Sequence, residues 1–256
     1  MSDIFFSLVG PSIRSNLYES FYNNLSLNNK IPFEIVFAGD KKPDKPMPSN
    51  FHYIYTKVKP MQCMEISVRR AIGEYVIVVP DDLVFSPEFL NRMYKHIKNN
   101  GDKKVIVSPR YSKGKRYDNS ILDTEFNEMY FDKNKKGTPM IGICPALKRE
   151  VWNELGGIDS RFLGTFGGVD LQMRFLEKGY KIYNALDCCV FEIIKIGDFV
   201  RLIKRSGEKD ENNFLNSLWT DKHGKITNKR NSPLHPFSDK NILVKSQGNK
   251  DKSQWD

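Results

Sequence analysis

Two spacings of apolar residues take turns along the first 110 residues of the chain. Short continuous runs predict strands buried on both faces: Ile4 to Val9, Phe33 to Ala38, Tyr75 to Val79 and Val105 to Ser108, with a shorter one at His52 to Thr56. Between them the apolar positions fall three or four apart. Tyr18, Phe21 and Leu25 predict a helix from about Asn16, closed by Asn28-Asn29. Met64, Val68 and Ile72 predict a second, terminated by Gly73. Phe89, Met93 and Ile97 predict a third. Ser86-Pro87-Glu88 ahead of it supplies an N-cap, a first-turn proline and an acid at the positive end. Alternation of this kind predicts a doubly wound, mostly parallel sheet flanked by helices.

The pattern weakens further on. Residues 111–138 are polar, with Lys- and Asn-rich stretches, and read as an excursion over one face. Helices are expected from Lys148 to Leu155, stopped by Gly156-Gly157, and from Val169 to Lys178, stopped by Gly179. Tyr180 to Ile194 is strand-like. The remaining tail is polar, with apolar anchors at Phe214, Leu218, Trp219, Phe237 and Trp255. The expected organisation is an α/β domain over residues 1–195 and a C-terminal extension or lid over 196–256 packed on it.

Composition narrows the class. With 17 Phe and 11 Tyr in 256 residues the chain carries enough ring surface to offset chain entropy, which excludes global disorder. No apolar run approaches the roughly 18–20 residues of a membrane span. The start lacks the basic n-region of a secretory leader. Four cysteines make no disulfide framework, and none are at zinc-ligand spacing. A reducing cytoplasm is the expected location. The net charge of +9 favours an anionic partner, and residues 201–256, with 12 basic and 7 acidic residues, hold about half of it. Nucleic acid is not expected, because no arginine cluster with interleaved aromatics and no known motif is present. Peripheral membrane contact stays open.

Candidate chemistry gathers where strands end, since ligands of open α/β sheets bind beyond the carboxyl ends of the strands. Pro11-Ser12, Gly39-Asp40 and Asp81-Asp82 all fall there. Two adjacent carboxylates at the end of a buried strand repel each other unless something neutralises them. A hard divalent cation does so with oxygen ligands and also holds a diphosphate. In the plainer alternative Asp82 caps a turn before the Ser86 helix. No GxxxxGKS/T and no GxGxxG follows the first strand. Gly164 to Gly168 is glycine-rich and reads either as a turn that admits a ligand to the backbone or as a plain loop. His52 and His96 read as structural.

These residues carry a family resemblance. Ala71-Ile72-Gly73-Glu74-Tyr75-Val76-Ile77-Val78-Val79-Pro80-Asp81-Asp82 resembles the run A-x-G-E-Y-hydrophobic-D-D-D of GT-A glycosyltransferases, particularly glycosyltransferase family 2. Leu147 to Trp152, Gly156-Gly157-Ile158-Asp159, Val169 to Arg174 and Gly179-Tyr180 resemble that family's acceptor-side segment. Leu8 to Ser12 and Glu34 to Asp40 resemble its first two strands, so the likeness covers roughly residues 4–190 in the correct order.

The resemblance implies a GT-A, Rossmann-like sheet and a metal-dependent transfer of a hexosyl or deoxyhexosyl group. The donor would be a UDP- or GDP-type sugar and the acceptor a hydroxyl of a glycan, lipid-linked or protein acceptor, in surface-glycan or glycoprotein synthesis. It also implies site residues. Asp82 would be the direct ligand of Mn²⁺ or Mg²⁺, with Asp81 on the donor ribose or the metal. Pro11, Ser12 and Asp40 would contact the nucleoside, and Arg69 or Arg70 a donor phosphate. A histidine of the C-terminal segment would complete the metal shell. Of His223 and His235 the second is preferred, because Pro233 and Pro236 hold it stiffly; an ordinary loop histidine is the alternative. Three departures stand out. Pro80 replaces the first acid of the triplet, Gly39 stands where an acid commonly reads the base, and Gly167-Gly168 replace the acids that hold the usual catalytic base. Asp170 is the nearest surviving carboxylate. It is a candidate general base of an inverting transfer, or else a helix N-terminal acid, with the base elsewhere or the reaction retaining. A sugar nucleotidyltransferase and a catalytically inactive nucleotide-sugar-binding module are the alternative classes.

Overall fold

The computed structural model describes residues 4–100, 104–113, 144–164, 166–193, 211–223, 227 and 229–243. The chain runs β1 (Phe6–Pro11), a 3-10 turn at Ser15–Leu17, α1 (Tyr18–Ser26), β2 (Phe33–Gly39), β3 (Phe51–Tyr55), α2 (Pro60–Arg70), β4 (Tyr75–Val78) and β5 (Leu83–Phe85). There follow α3 (Phe89–Asn100), β6 (Val105–Lys113), β7 (Ala146–Lys148), α4 (Arg149–Glu154), α5 (Gly167–Glu177) and β8 (Lys181–Glu192). Residues 211–219 are helical as well. No helix among the described residues is long and apolar enough to cross a membrane.

Among the described residues the strands form one sheet in the order β3-β2-β1-β4-β7-β6-β8-β5. The first four are parallel, as expected. β7 and β5 run against their neighbours, and β8 is parallel to β6. These reversed strands have three residues each, too few to show a periodicity in the sequence. β4 and β5 stand four places apart in the sheet, yet only residues 79–82 join them. Four strand spacings make about 19 Å across a flat sheet. The chain from residue 78 to 83 reaches about 17 Å at most. The sheet therefore curls, and the short connection crosses its carboxyl rim.

Alternate strand residues feed two cores. Phe6, Leu8, Ile35, Phe37 and Ile77 pack with Tyr18, Phe21 and Leu25 of α1 and Phe89, Met93 and Ile97 of α3. Val9, Val36, Val76 and Leu147 pack with Met64 and Val68 of α2, Trp152 of α4, and Leu171 and Phe175 of α5. Burying each such side chain contributes roughly 1.5–3 kcal/mol. Leu215, Leu218, Trp219, Phe237 and Ile242 join this second core, so the C-terminal anchors pack on the same body as the α/β sheet.

Several local expectations change. α2 ends at Arg70, and Ile72 is 44% exposed rather than part of its buried stripe. Gly73 is needed for a close approach, because a Cβ there would lie 2.6 Å from Ser7 Oγ. β6 continues to Lys113, into the stretch expected to leave the fold; the rest of that excursion and Trp255 lie outside the described residues. Ser86 does not cap α3; its Oγ accepts from the Cys189 amide at 3.0 Å. The cap comes from Asn29, beyond the end of α1, whose Oδ1 accepts from Leu90 N at 2.8 Å and Asn91 N at 3.3 Å. Replacing a capping side chain by Ala costs about 1 kcal/mol. Asn29→Ala is accordingly expected to lower unfolding free energy in urea by about 1–2 kcal/mol, even though residue 29 lies outside the helix it caps.

Candidate active site

β1, β2 and β4 end side by side, and their following loops converge. Asp81 organises them. Its Oδ2 accepts from Ile13 N and Arg14 N, both at 2.7 Å, and lies 3.0 Å from Ser12 Oγ. Its Oδ1 lies 2.5 Å from Arg14 Nη1, while Arg14 Nη2 lies 3.3 Å from Asp82 Oδ2. Both carboxylates are nearly inaccessible, at 2% and 3% exposure. The guanidinium thus spreads its charge over the aspartate pair. The Asp82 carbonyl accepts from Ile193 N at 2.7 Å, and Glu192 pairs with Leu83 across the β5–β8 ladder. The end of β8 is thereby tied to the connection that carries the pair, and the Glu192 carboxylate accepts from the Tyr111 hydroxyl.

A second group of side chains lines the end of β2. Ser12 Oγ lies 2.5 Å from Tyr18 Oη, which donates to the Lys41 carbonyl at 3.0 Å. A Cβ on Gly39 would stand 1.8 Å from the Ser12 carbonyl oxygen. No acid can occupy that position without driving the two loops apart. Asp40 Oδ1 and Tyr53 Oη are buried without a partner at hydrogen-bonding geometry. Burial raises the Asp40 carboxyl above its ordinary range, against the pull of Lys41 and Lys57. It also raises the Tyr53 phenol and pushes the neighbouring Cys63 thiol up to about 12. Unsatisfied buried polar atoms are costly, and a ligand that bonds to them recovers that cost.

A buried charge network lies under α5. Asp170 Oδ2 accepts from Arg174 Nε at 3.0 Å, and its Oδ1 from Arg230 Nε and Trp219 Nε1, each at 3.0 Å. Asp159 Oδ2 accepts from Arg161 at 2.7 Å and Arg230 at 2.6 Å. Burial alone would raise the Asp159 carboxyl, but the bonds from Arg161 and Arg230 outweigh it and hold it at about 2.

The model of the family described as glycosyl transferase family 2 matches residues 15–156, more than half of the chain. The chain belongs to that family. No curated protein matches it. Its fold is similar to that of S. aureus TarS. Residues 1–349 of TarS in complex with UDP align at 15% identity with a TM-score of 0.56, over 78% of this chain and 63% of that one. The same TarS fragment, 1–349, gives 16%, 0.57, 78% and 63%, and a TarS chain of which 40% is covered gives 15% and 0.54 over 82% of this chain. This chain thus spans less than two-thirds of each of these TarS chains. The likeness is one of fold, and the fold is GT-A.

The family 2 correspondences meet this geometry unevenly. Pro11, Ser12, Asp40, Asp81 and Asp82 come together at the rim. Arg69 does not join them. Ser67 faces β1 through its bond to the Gly10 carbonyl, and two residues on, about 200° around the helix, Arg69 turns away. It bonds Glu65, Asp239 and the Phe237 carbonyl instead. His235 is exposed, and its backbone is held by Asp159 and Ser160; among the described residues no contact links it to Asp82. Asp170 is 0% exposed, with both oxygens engaged. That is a poor setting for taking a proton from an incoming hydroxyl. A Cβ on Gly167 would press within 3.0 Å of Met61 and Phe162, whereas Gly168 faces open space; the one acid of this helix's first turn is the buried Asp170. The turn before it is held by a carboxylate the sequence reading overlooked. Glu211 accepts from Leu163 N at 2.7 Å, Gly164 N at 2.6 Å and Phe166 N at 3.2 Å. Tyr53, inside β3, gave no local signal, whereas Gly10-Pro11-Ser12-Ile13-Arg14 resembled only a poor nucleotidyltransferase loop and did not reveal Arg14's pairing with the aspartates.

Removing one partner of a buried ion pair costs about 3–5 kcal/mol, because the other charge is stranded. Asp170→Asn is expected to lose stability on that scale in denaturant unfolding, since Arg174 and Arg230 would both lose their shared counter-charge.

Proposed function

We propose that the chain is a glycosyltransferase that takes a sugar from a nucleoside diphosphate sugar, of UDP or GDP type, to an acceptor hydroxyl. The observation that carries the donor site is the pair of unsatisfied buried atoms, Asp40 Oδ1 and Tyr53 Oη, beside the Asp81–Arg14–Asp82 cluster. A nucleobase N–H suits the first, and a base carbonyl or ribose oxygen the second. The fold of TarS, which has been crystallised with UDP, supports a uridine nucleotide as the first ligand to try.

Asp82, Asp81 and His235 are the candidate ligands of a divalent cation. Asp82 fits as an oxygen ligand, shared with Arg14 in this structure. Asp81 fits less well, because four bonds commit it to the loop after β1, and His235 is not brought to the pair. Of the three, Asp82 alone would hold Mn²⁺ or Mg²⁺. Such an ion would offset charge on the leaving diphosphate. Arg14 can serve the same end by turning its guanidinium from Asp82 to the phosphates. In transfer the acceptor oxygen bonds to the anomeric carbon, the bond to the diphosphate breaks, and the hydroxyl proton passes to a carboxylate.

The nucleotidyltransferase alternative needs free backbone N–H groups after β1 to cradle a triphosphate. Here the amides of Ile13 and Arg14 already bond Asp81. An inactive binding module would bind donor and turn nothing over.

Titration calorimetry with UDP and GDP, with and without Mn²⁺, tests the donor site. One nucleotide is expected to bind more tightly with Mn²⁺, Asp40→Ala to weaken it at least tenfold, and Asp82→Asn to remove only the Mn²⁺-dependent part. Absence of binding by either nucleotide would sink the reading.

A further inference from the structure

β8 carries a defect far from the donor site. Its pairing with β6 runs Pro109 opposite Ala185 and then Arg110 opposite Cys189, so Leu186, Asp187 and Cys188 have no partner residues. Three unpaired residues forfeit ladder bonds, and strand bulges usually persist because they aim a side chain. This one is well held. The Asp187 carbonyl accepts from Arg92 Nη1 at 2.8 Å, and beyond the bulge Cys189 and Ser86 exchange two bonds. It is aimed at α3. His96, one turn after Arg92, places Nε2 2.5 Å from Asp187 Oδ1, and Cys188 Sγ lies 3.7 Å from the same oxygen. The three donor atoms lie within 4.8 Å of one another.

We propose that His96, Asp187 and Cys188 form a binding site for a zinc-class divalent ion, with the fourth position open to solvent. The donor set carries the choice of ion: imidazole nitrogen and thiolate sulfur suit borderline-soft metals, not Mg²⁺ or Ca²⁺. The spacing is close to what such an ion needs. Bonds of about 2.0–2.3 Å at a tetrahedral centre set donors roughly 3.3–3.7 Å apart. The Asp187–Cys188 separation already matches. The His96–Asp187 pair must open by under about 1 Å, an ordinary side-chain adjustment. The exposed Asp187 leaves an entry path, while Cys188 closes the site from within the core. Arg92 is the nearest competing positive charge, and the Asp187 carbonyl engages it rather than the ligand atoms. Four residues of extended strand, about 13 Å, separate Cys188 from Glu192 at the rim, so this centre is distinct from the donor site. Its role is to clip the bulge to α3, and binding releases the Cys188 thiol proton to solvent.

Cobalt(II) is the probe, because a thiolate ligand gives it a near-ultraviolet charge-transfer band that oxygen ligands do not. Full-length protein freed of metal by EDTA is titrated with Co²⁺. One equivalent is expected to produce the band, and added Zn²⁺ to abolish it and raise the melting temperature by mass action. His96→Ala, on the helix surface, and Cys188→Ser are each expected to lose the band or weaken Co²⁺ at least tenfold. Asp82→Asn is expected to leave the band intact, which separates this site from any ion at the rim. No band in the unmodified protein overturns the proposal, and so does a band that survives His96→Ala at full affinity. If Cys188→Ser fails to fold, the His96→Ala result stands by itself.

Discussion

A single carboxylate holds the carboxyl rim of the sheet together. Asp81 follows β4, and it gathers two amides, a hydroxyl and a guanidinium, all supplied by the three residues after β1. Neighbouring parallel strands guarantee only that these loops begin side by side. The carboxylate fixes how they continue. It turns the Ile13 and Arg14 amides inward, which removes them as a phosphate cradle, and it sets Arg14 between two acids. Charge-assisted bonds of this kind are stronger than neutral ones, and this one has almost no solvent to compete with it. The positions of Ser12, Tyr18 and Asp82 all follow from it.

Much of this architecture was legible in the chain. Buried apolar runs separated by helices of period 3.6 are readable, so β1 to β4, α1 and α3 fall where the pattern puts them, and α2 does so except for its last turn. The aspartate pair was legible for the same reason: acids directly after a buried strand must lie at its carboxyl end. What failed to show was whatever depends on residues distant in sequence. Asn29 caps a helix that begins sixty residues later. Glu211 holds a turn 45 to 48 residues before it. Arg230 reaches Asp170 across 60 positions. None of these side chains is unusual locally; a mid-tail arginine or glutamate reads as solvated until the tail is folded onto the sheet. Arg69 failed differently. Its helix was right, but a residue's place on a helix fixes its direction only once the buried face is known, and Ser67 defines that face here.

The Asp170 network alters how the missing acids are understood. The helix that the resemblance expected to open with acids opens with Gly167-Gly168, and Asp170 is paired with two arginines and a tryptophan. Two of those three partners, Trp219 and Arg230, come from the C-terminal segment. The charge at this corner therefore fastens the tail to the sheet. The carboxylate nearest the bare helix start, Glu211, arrives with that same tail.

The curl of the sheet governs the order in which this molecule can be completed during synthesis. β5 leaves the ribosome almost immediately after β4, yet its ladder partner, the end of β8, emerges about a hundred residues later. Until then Leu83 to Phe85 has no edge to join, and the aspartate pair sits on an untethered hairpin-length connection. A nascent chain can build its first parallel strands early, but the rim that carries Asp81 and Asp82 closes only after the end of β8 has emerged.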